Sequence, residues 1–440
     1  MPRTRKRIDV LELRDALSLA SILGALPIEA VRESLRATTG LGERSRTLTR
    51  EFVVYLTVFL CIFKDVATDE VLRHLFEGLE SLFEGKDILR ASDAAISKAR
   101  NAVGEEPLRH LFRSQCKPLC GKGDEYAFYK GMRKLAIDAS EFYLQCTKDV
   151  LAEFPTCESD AKNPQNCSKI KFGAVMEIGS RAYIDVEYGT VLNSEQDFAD
   201  ALIGRLGPGN LLIGDRYYRS VLNIQRVKDQ GSDVLFRATS NMLLAPVKTL
   251  YDGSYLAEIR AARGRKRHSA QFGKQIGSVM VRVIPYVIKD AKGQVIEQGR
   301  LITTLLEPAN YHSQDLIDIY VERWAVEMGF DEIKSHLMLG AQDNLRSKKS
   351  NLVRQEFWAM FMAHYLIRKI IYEASALAEK MPDKTSFFGV RNLLRRKTTA
   401  KPFPPREDEQ EETRRACRGD AQGLGRRGAR LARLVKQGEE

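Results

Sequence analysis

Two carboxylates stand in places where a carboxylate is costly. Asp138 closes the apolar run "KLAID" and Asp215 closes "NLLIGD", each a lone acid delivered to a strand end by residues that belong in a core. A charge so placed is unfavourable unless something compensates it. The third acid, Glu327, lies in "YVERWAVEMGFDEIK", Tyr320 to Lys334. Read as one helix turning roughly 100° per residue, this stretch brings Tyr320, Arg323, Glu327 and Lys334 within about 60° of one another. An aromatic hydroxyl, two cations and a carboxylate then share one line. On the same wheel Ile317, Val321, Trp324 and Met328 form an apolar stripe roughly 90° away, which sets the polar line on the lip between core and solvent.

Each of these features has an ordinary explanation: a turn residue or helix N-cap for the aspartates, a solvated face of i, i+4 ion pairs for the helix. Taken together they describe a site. Two acids from strand ends and one from a helix make a hard-oxygen pocket suited to Mg²⁺, with Mn²⁺ able to substitute. Two such ions about 3.5 to 4 Å apart act on both the attacking and the leaving oxygen of a phosphodiester. Arg323 and Lys334 offer a planar fork and a point charge to phosphates, and Tyr320 adds a ring and a hydroxyl for sugar, phosphate or base.

The elements that hold these residues follow from the periodicity. Residues 1–120 read as an all-α N-terminal domain, with "LPIEAVRESLRA", "FVVYLTVFLCIF", "SDAAISKARNAV" and "EPLRHLFRSQ" in helical period and Ser92 as a cap. "SDAAISKAR" is short and rich in small residues, and it carries Lys98 and Arg100 as a DNA-reading helix would; a plain solvated helix is the alternative. From Lys134 the period switches to strands. "KIKFGAVMEI" and "RAYIDVEYGT" alternate around "GSR", a hairpin signal. Residues 130–239 and 300–390 read as two parts of one α/β core, a mixed sheet with flanking helices, split by a β-rich insertion over 240–299. That insertion carries the basic loop "RAARGRKRH" with Arg263, Arg265, Lys266 and Arg267, cations that repel one another unless a polyanion lies across them. Residues 391–440 are charged and poor in large apolar side chains until the last stretch, the composition of a disordered tail.

Composition narrows the partners. The 440 residues are 44% hydrophobic and 29% charged, as a soluble multidomain chain is. Lys and Arg number 69 against 58 acids, a net charge of +11 that favours nucleic acid. The run Phe52–Phe63 is shorter than the ~20 residues of a membrane span, and Asp9, Glu12 and Asp15 interrupt any signal-peptide core. No membrane partner and a cytoplasmic, nucleoid-associated location are expected. Seven cysteines without a C-x-x-C pair favour scattered thiols over a zinc site.

Tyr, two residues, Arg, three residues, Glu, six residues, Lys resembles the YREK signature of DDE transposases of the insertion-sequence-four family, and Tyr320, Arg323, Glu327 and Lys334 meet its spacing in full. "LAID", "LLIGDRYY", "FRATSN", "DGSYLAEIR" and "RLITTLLEP" resemble further stretches of that family, and Leu26 to Phe112 resembles its helical N-terminal region. The resemblance covers about Ala25 to Lys397. It implies a ribonuclease-H-like core, α/β in class, with a β-rich insertion before the third acidic residue. It also implies Asp138, Asp215 and Glu327 as catalytic metal ligands, and a synapsed homodimer that moves a mobile element by cut and paste between its terminal inverted repeats and target DNA. The chain departs from the family pattern in "IDAS" after the first acid, in Arg300 and Leu301 where hairpin-forming relatives can carry a Trp, and in the tail after Lys397. A catalytically inactive, transposase-derived DNA-binding protein or inhibitor is the competing expectation, and a nuclease indifferent to end sequence is a third.

Overall fold

A computed structural model of the chain describes residues 24–39, 48–64, 66–79, 91–156, 168–260, 277–289, 294–338, 344–377 and 381–399. The chain divides into two compact units. One comprises Met1–Leu119, Phe142–Ser168 and Asp331–Glu440, and the other Cys120–Glu141 and Lys169–Phe330.

The first unit is mainly helical among its described residues. Its helices are α1 (Ile28–Thr39), α2 (Arg50–Ile62), α3 (Thr68–Leu79), α4 (Asp93–Val103), α5 (Glu106–Gln115), α6 (Lys148–Glu153), α11 (Ser350–Leu377) and α12 (Phe387–Thr399). The apolar run of the sequence is α2, buried on nearly every face, which is why it reads as continuous rather than striped. Aromatic packing joins the N-terminal helices to α11: Phe112 lies 5.6 Å from the Trp358 ring, and the Trp358 indole N–H donates to Glu105 Oε1 at 2.9 Å. Ser92 caps α4 as expected, accepting from the Ala95 N–H at 3.2 Å. Helix α12 continues to Thr399, past Arg391 where the sequence placed the start of the tail. Phe387, Val390, Leu393 and Leu394 bury one side of it, an apolar spacing that the surrounding cations hide in composition. Residues 400–440 lie outside the described residues.

The second unit is built on a sheet of ten described strands: β1 (Phe128–Tyr129), β2 (Met132–Tyr143), β3 (Lys169–Glu177), β4 (Ala182–Gly189), β5 (Asn210–Gly214), β6 (Asp233–Arg237), β7 (Pro246–Thr249), β8 (Tyr255–Arg260), β9 (Ser278–Lys289) and β10 (Val295–Thr303). The order is β4-β3-β2-β5-β6-β10-β9-β8-β7, with β1 paired to β2. Strands β3 and β4 form the expected antiparallel hairpin, while β2, β5 and β6 run parallel. Helices α7 (Glu195–Gly204) and α8 (Val221–Asp229) supply the crossovers that parallel neighbours require. One core cluster includes Leu135, Ile137, Phe198, Leu202, Leu212, Tyr218, Ile224 and Phe236. A five-strand order of this kind, flanked by helices, is a ribonuclease-H-like mixed sheet. The β-rich insertion adds strands to the same sheet. Strand β10 runs unbroken through Gly299, pairing with β9 along its length and with β6 over Leu301–Thr303.

Candidate active site

The two aspartates are neighbours by register. Ile137 on β2 pairs with Gly214 on β5, both strands running the same way, so the residues that follow, Asp138 and Asp215, emerge side by side. Adjacent strands lie about 4.8 Å apart. Asp215 falls just after β5, as the sequence implies, whereas Asp138 lies inside β2, which runs on to Tyr143 after its parallel partner ends. Asp138 Oδ1 accepts from its neighbour's N–H, that of Ala139, at 2.8 Å, and Asp215 Oδ1 from the Tyr217 N–H at 2.8 Å.

The helix bearing the third acid departs from the wheel. Tyr320 to Lys334 is three pieces: the end of α9 (Ser313–Val321), a turn at Glu322 and Arg323, then α10 (Trp324–Asp331), which passes into a π-helical turn, Glu332–Leu337. At the junction the bonds tighten to i, i+3, with Ala325 N–H to Glu322 O at 2.9 Å and Val326 N–H to Arg323 O at 3.0 Å, which winds residues faster than an α-helix does. The stripes therefore exchange places. Tyr320 (3% exposed) and Arg323 (8%) turn inward, while Trp324 (49%) and Met328 (43%), expected in the core, face out, as does Val321. Leu316, Ile319, Val326 and Phe330 are the residues that bury the two helices. The turn is anchored to the sheet by Lys134 of β2, whose Nζ lies 2.5 Å from Glu322 Oε2. The Tyr183 hydroxyl donates to Val326 O at 3.0 Å, and Gly329 leaves room for Tyr183 and Met176.

Arg323 occupies the middle of the acids. Its Nη1 is 2.8 Å from Glu327 Oε1 and 3.5 Å from Asp138 Oδ2, and its guanidinium lies over the rings of Trp324 (5.3 Å) and Tyr320 (5.7 Å). Burial pushes the Asp138 carboxyl up to about 7; Arg323 and the Ala139 N–H oppose this, and Asp215 and Glu327 add to it. Asp215 is also raised, chiefly by burial. Burial pulls the Arg323 guanidinium down, but Tyr320, Glu327 and Asp138 together outweigh that and hold it charged. The guanidinium serves Glu327 first and reaches Asp138 only at the longer distance.

The donor set fits a divalent cation by its chemistry. The oxygens are hard, two of the carboxyls are desolvated without full compensation, and a guanidinium already stands as a positive charge between two acids. Among the described residues no three Asp, Glu, His or Cys side chains yet converge closely enough to hold a metal ion.

The remaining expected residues divide. Lys334 is half-buried on the π turn, in the helical unit. Lys98 is exposed on α4, whereas the Arg100 Nε donates to Gln355 Oε1 at 2.9 Å and its guanidinium is desolvated within that unit; a side chain so engaged is a structural tie more than a base reader. Arg263, Arg265, Lys266 and Arg267 lie outside the described residues. Sequence reasoning passed over the loop after Asp215, where Arg216 and Tyr217 are exposed and Tyr218 is buried. The signal was visible in "GDRYYRS": two cations and two tyrosines within four residues of a strand-end acid.

Fold and site together define a polynucleotidyl-transfer enzyme of ribonuclease-H-like architecture, and comparison with known proteins gives the family. A family profile described as "Transposase DDE domain" matches residues 129–366, and "Insertion element 4 transposase N-terminal" matches residues 16–113. The chain belongs to the DDE transposases of the insertion-element-4 type. It is 26% identical over 385 residues to transposase InsG for insertion sequence element IS4 of Escherichia coli (strain K12), covering 86% of this chain and 83% of that one. It is 25% identical over 162 residues to a probable transposase for insertion sequence element IS5377 of Geobacillus stearothermophilus, covering 36% of this chain and 38% of that one. A solved piggyBac transposase synaptic complex with hairpin DNA overlays at a TM-score of 0.41 with 12% identity, over 98% of this chain and 86% of that one. Among the described residues no helix is long and apolar enough to cross a membrane.

Proposed function

We propose that this transposase binds the terminal inverted repeats of its element, cuts them and joins them to target DNA, using Asp138, Asp215 and Glu327 to hold Mg²⁺ or Mn²⁺. The observation that carries this reading is the pairing of Ile137 with Gly214, which delivers two desolvated aspartates side by side with Arg323 linking one of them to Glu327. When bound, divalent cations there activate a nucleophilic oxygen and stabilise the leaving oxygen at a phosphodiester. Arg323 balances the acids until then and, once released, is placed to meet a phosphate as a bidentate donor. Tyr320 supports Arg323 from below with its ring. Lys334 and Lys98 are assigned to the DNA backbone, and Arg263, Arg265, Lys266 and Arg267 are assigned to sequence-independent phosphate contacts. A homodimer that pairs two ends is the working assembly, in the cytoplasm of a prokaryote.

The test uses the purified full chain with labelled end DNA and Mg²⁺. Nicking at the element boundary, followed by joining to a second DNA, is the expected result. A protein that shifts the DNA without nicking it is an inactive binder, and cleavage indifferent to end sequence marks a general nuclease; either result overturns the reading.

A further inference from the structure

A fourth carboxylate lies beside the site and has no role in the reading above. Glu195 opens α7, after Ser194, which with Asp197 forms a capping box that fixes the first turn. Its neighbour Gln196 exchanges two side-chain hydrogen bonds with the buried Asn223, Gln196 Nε2 to Asn223 Oδ1 at 2.6 Å and Asn223 Nδ2 to Gln196 Oε1 at 3.1 Å. Asn223 Nδ2 also donates to the carbonyl of Tyr218 at 3.1 Å. The start of α7 is thereby tied to the loop that leaves Asp215.

Tyr218, on that loop, is 2% exposed, and its hydroxyl has no hydrogen-bond partner. Its ring sits against the two strand ends: a Cβ added at Gly214 would meet Tyr218 Cδ2 and Ile137 Cγ2, each at 3.1 Å. Ile137 and Gly214 are the residues immediately before Asp138 and Asp215. The hydroxyl lies within electrostatic reach of the acids: burial first, and then the charges of Asp138, Glu195 and Asp215, raise it above the ordinary phenol range, with Arg323 offsetting part. Glu195 itself is half-buried and raised, first by burial and then by the charge of Asp215, with Lys171 offsetting part. A buried polar hydrogen with nothing to donate to costs stability. It points to an oxygen that arrives with a ligand, such as water held by a hydrated cation.

We infer that Glu195 is a fourth acidic residue of the divalent-cation site, and that the Tyr218 hydroxyl is the buried donor that orients a water or carboxylate oxygen on its Asp215 side. This rests on the reading of Asp138, Asp215 and Glu327 as a cation site. Sequence pattern alone hides Glu195, because "NSEQDF" reads as a capping sequence and nothing more.

The experiment titrates Mn²⁺ into the full-length, metal-free protein and follows free Mn²⁺ by its electron paramagnetic resonance signal, with no DNA present. Glu195→Gln should weaken Mn²⁺ binding tenfold or more, or remove one equivalent, as Asp138→Asn does, while Glu307→Gln, an exposed acid elsewhere in the same unit, titrates as the parent. If Glu195→Gln binds like the parent and Asp138→Asn does not, the inference is overturned and the three-acid site stands. If Asp138→Asn also binds like the parent, the cation site itself fails and this inference with it. Tyr218→Phe supplies a second reading, since it removes a hydroxyl that has no partner to lose. Without metal it should melt at or above the parent, and the rise in Tm produced by Mn²⁺ should shrink. A Mn²⁺-induced rise equal to the parent's in both Tyr218→Phe and Glu195→Gln overturns the inference independently.

Discussion

The strand side and the helix side of the site are built on different rules. Asp138 and Asp215 are placed by backbone pairing, Ile137 against Gly214, so their neighbourhood is fixed by the same hydrogen bonds that make the sheet. Glu327 and Arg323 ride on α9 and α10, which break at Glu322 and run into a π turn. There, placement depends on side chains: Lys134 to Glu322, Tyr183 to a helix carbonyl, and Arg323 to two acids. A sheet tolerates little adjustment of its acids. A broken helix held by ion pairs can exchange partners, as the proposed release of Arg323 requires.

The largest effect expected from this contrast is on chemistry. Asp138→Asn, Asp215→Asn and Glu327→Gln should each lower end cleavage about a thousandfold or more with DNA binding retained, because the shape stays and the charge goes. Lys334→Ala, the loss of one charged phosphate contact, should cost about ten- to a hundredfold. Gel assays of nicking and of mobility shift on the same DNA check both. Near-normal cutting by Glu327→Gln would remove the helix from the catalytic set and leave the strand side alone.

The next effect is on stability, in the π turn that carries Lys334. Glu332 is buried between Arg368, whose Nε lies 2.9 Å from Oε2, and His364, whose Nε2 lies 3.0 Å from the same oxygen. Burial holds His364 neutral, with its pKa lowered to about 3, so Arg368 carries the opposing charge. Glu332→Gln removes the buried negative charge that faces that guanidinium and should cost roughly 3 to 5 kcal/mol. Thermal unfolding measures it, and an unchanged Tm would mean that the ion pair is dispensable to the turn.

Two glycines compare the sides directly. A Cβ at Gly329 would meet Met176 Cε at 2.2 Å and the Tyr183 hydroxyl at 2.7 Å, so those side chains or α10 must shift; at Gly214 the nearest atoms are three, each at 3.1 Å. Gly329→Ala gains about 1 kcal/mol of helix propensity against about 1 to 3 kcal/mol of overpacking. The net loss should be modest, while the Glu327 carboxylate moves away from the sheet. Gly214→Ala should lose about 1 kcal/mol and disturb Tyr218. Cleavage falling more than stability in Gly329→Ala, and not in Gly214→Ala, is the expected pattern in paired assays.

What was legible in the sequence follows the same division. Asp138 and Asp215 were readable because a strand's apolar run ends visibly, and the hairpin and buried α2 because period and composition agree. The wheel through Tyr320–Lys334 set Tyr320, Arg323, Trp324 and Met328 on the wrong faces, since a fixed 100° step assumes unbroken i, i+4 bonds. Trp324 and Met328 are apolar yet exposed, and no local pattern announces that. Arg100 was read as free because its partner, Gln355, lies 255 positions away. Glu195 and Tyr218 become site residues only once the sheet brings "SEQ" and "DRYY" together.

The smallest effect separates burial from pairing at Asp138. Its folded pKa, about 7, stands above the ordinary value of 3.8. A raised carboxyl is most favourable to folding while protonated, so its contribution worsens as pH climbs from about 4 and is fully adverse above 7. Asparagine keeps the shape and cannot ionise. In chelator, Asp138→Asn should therefore match the parent near pH 4 and exceed it at pH 8 by about 1 to 2 kcal/mol, or ~2 to 8 °C in Tm. Arg323 loses little in the exchange, because Glu327 at 2.8 Å remains its nearer partner. A variant less stable than the parent at pH 8 would show that the ion pair with Arg323 outweighs burial. The strand side would then depend on the helix side for its charge balance, and the division drawn here would fail at its central residue.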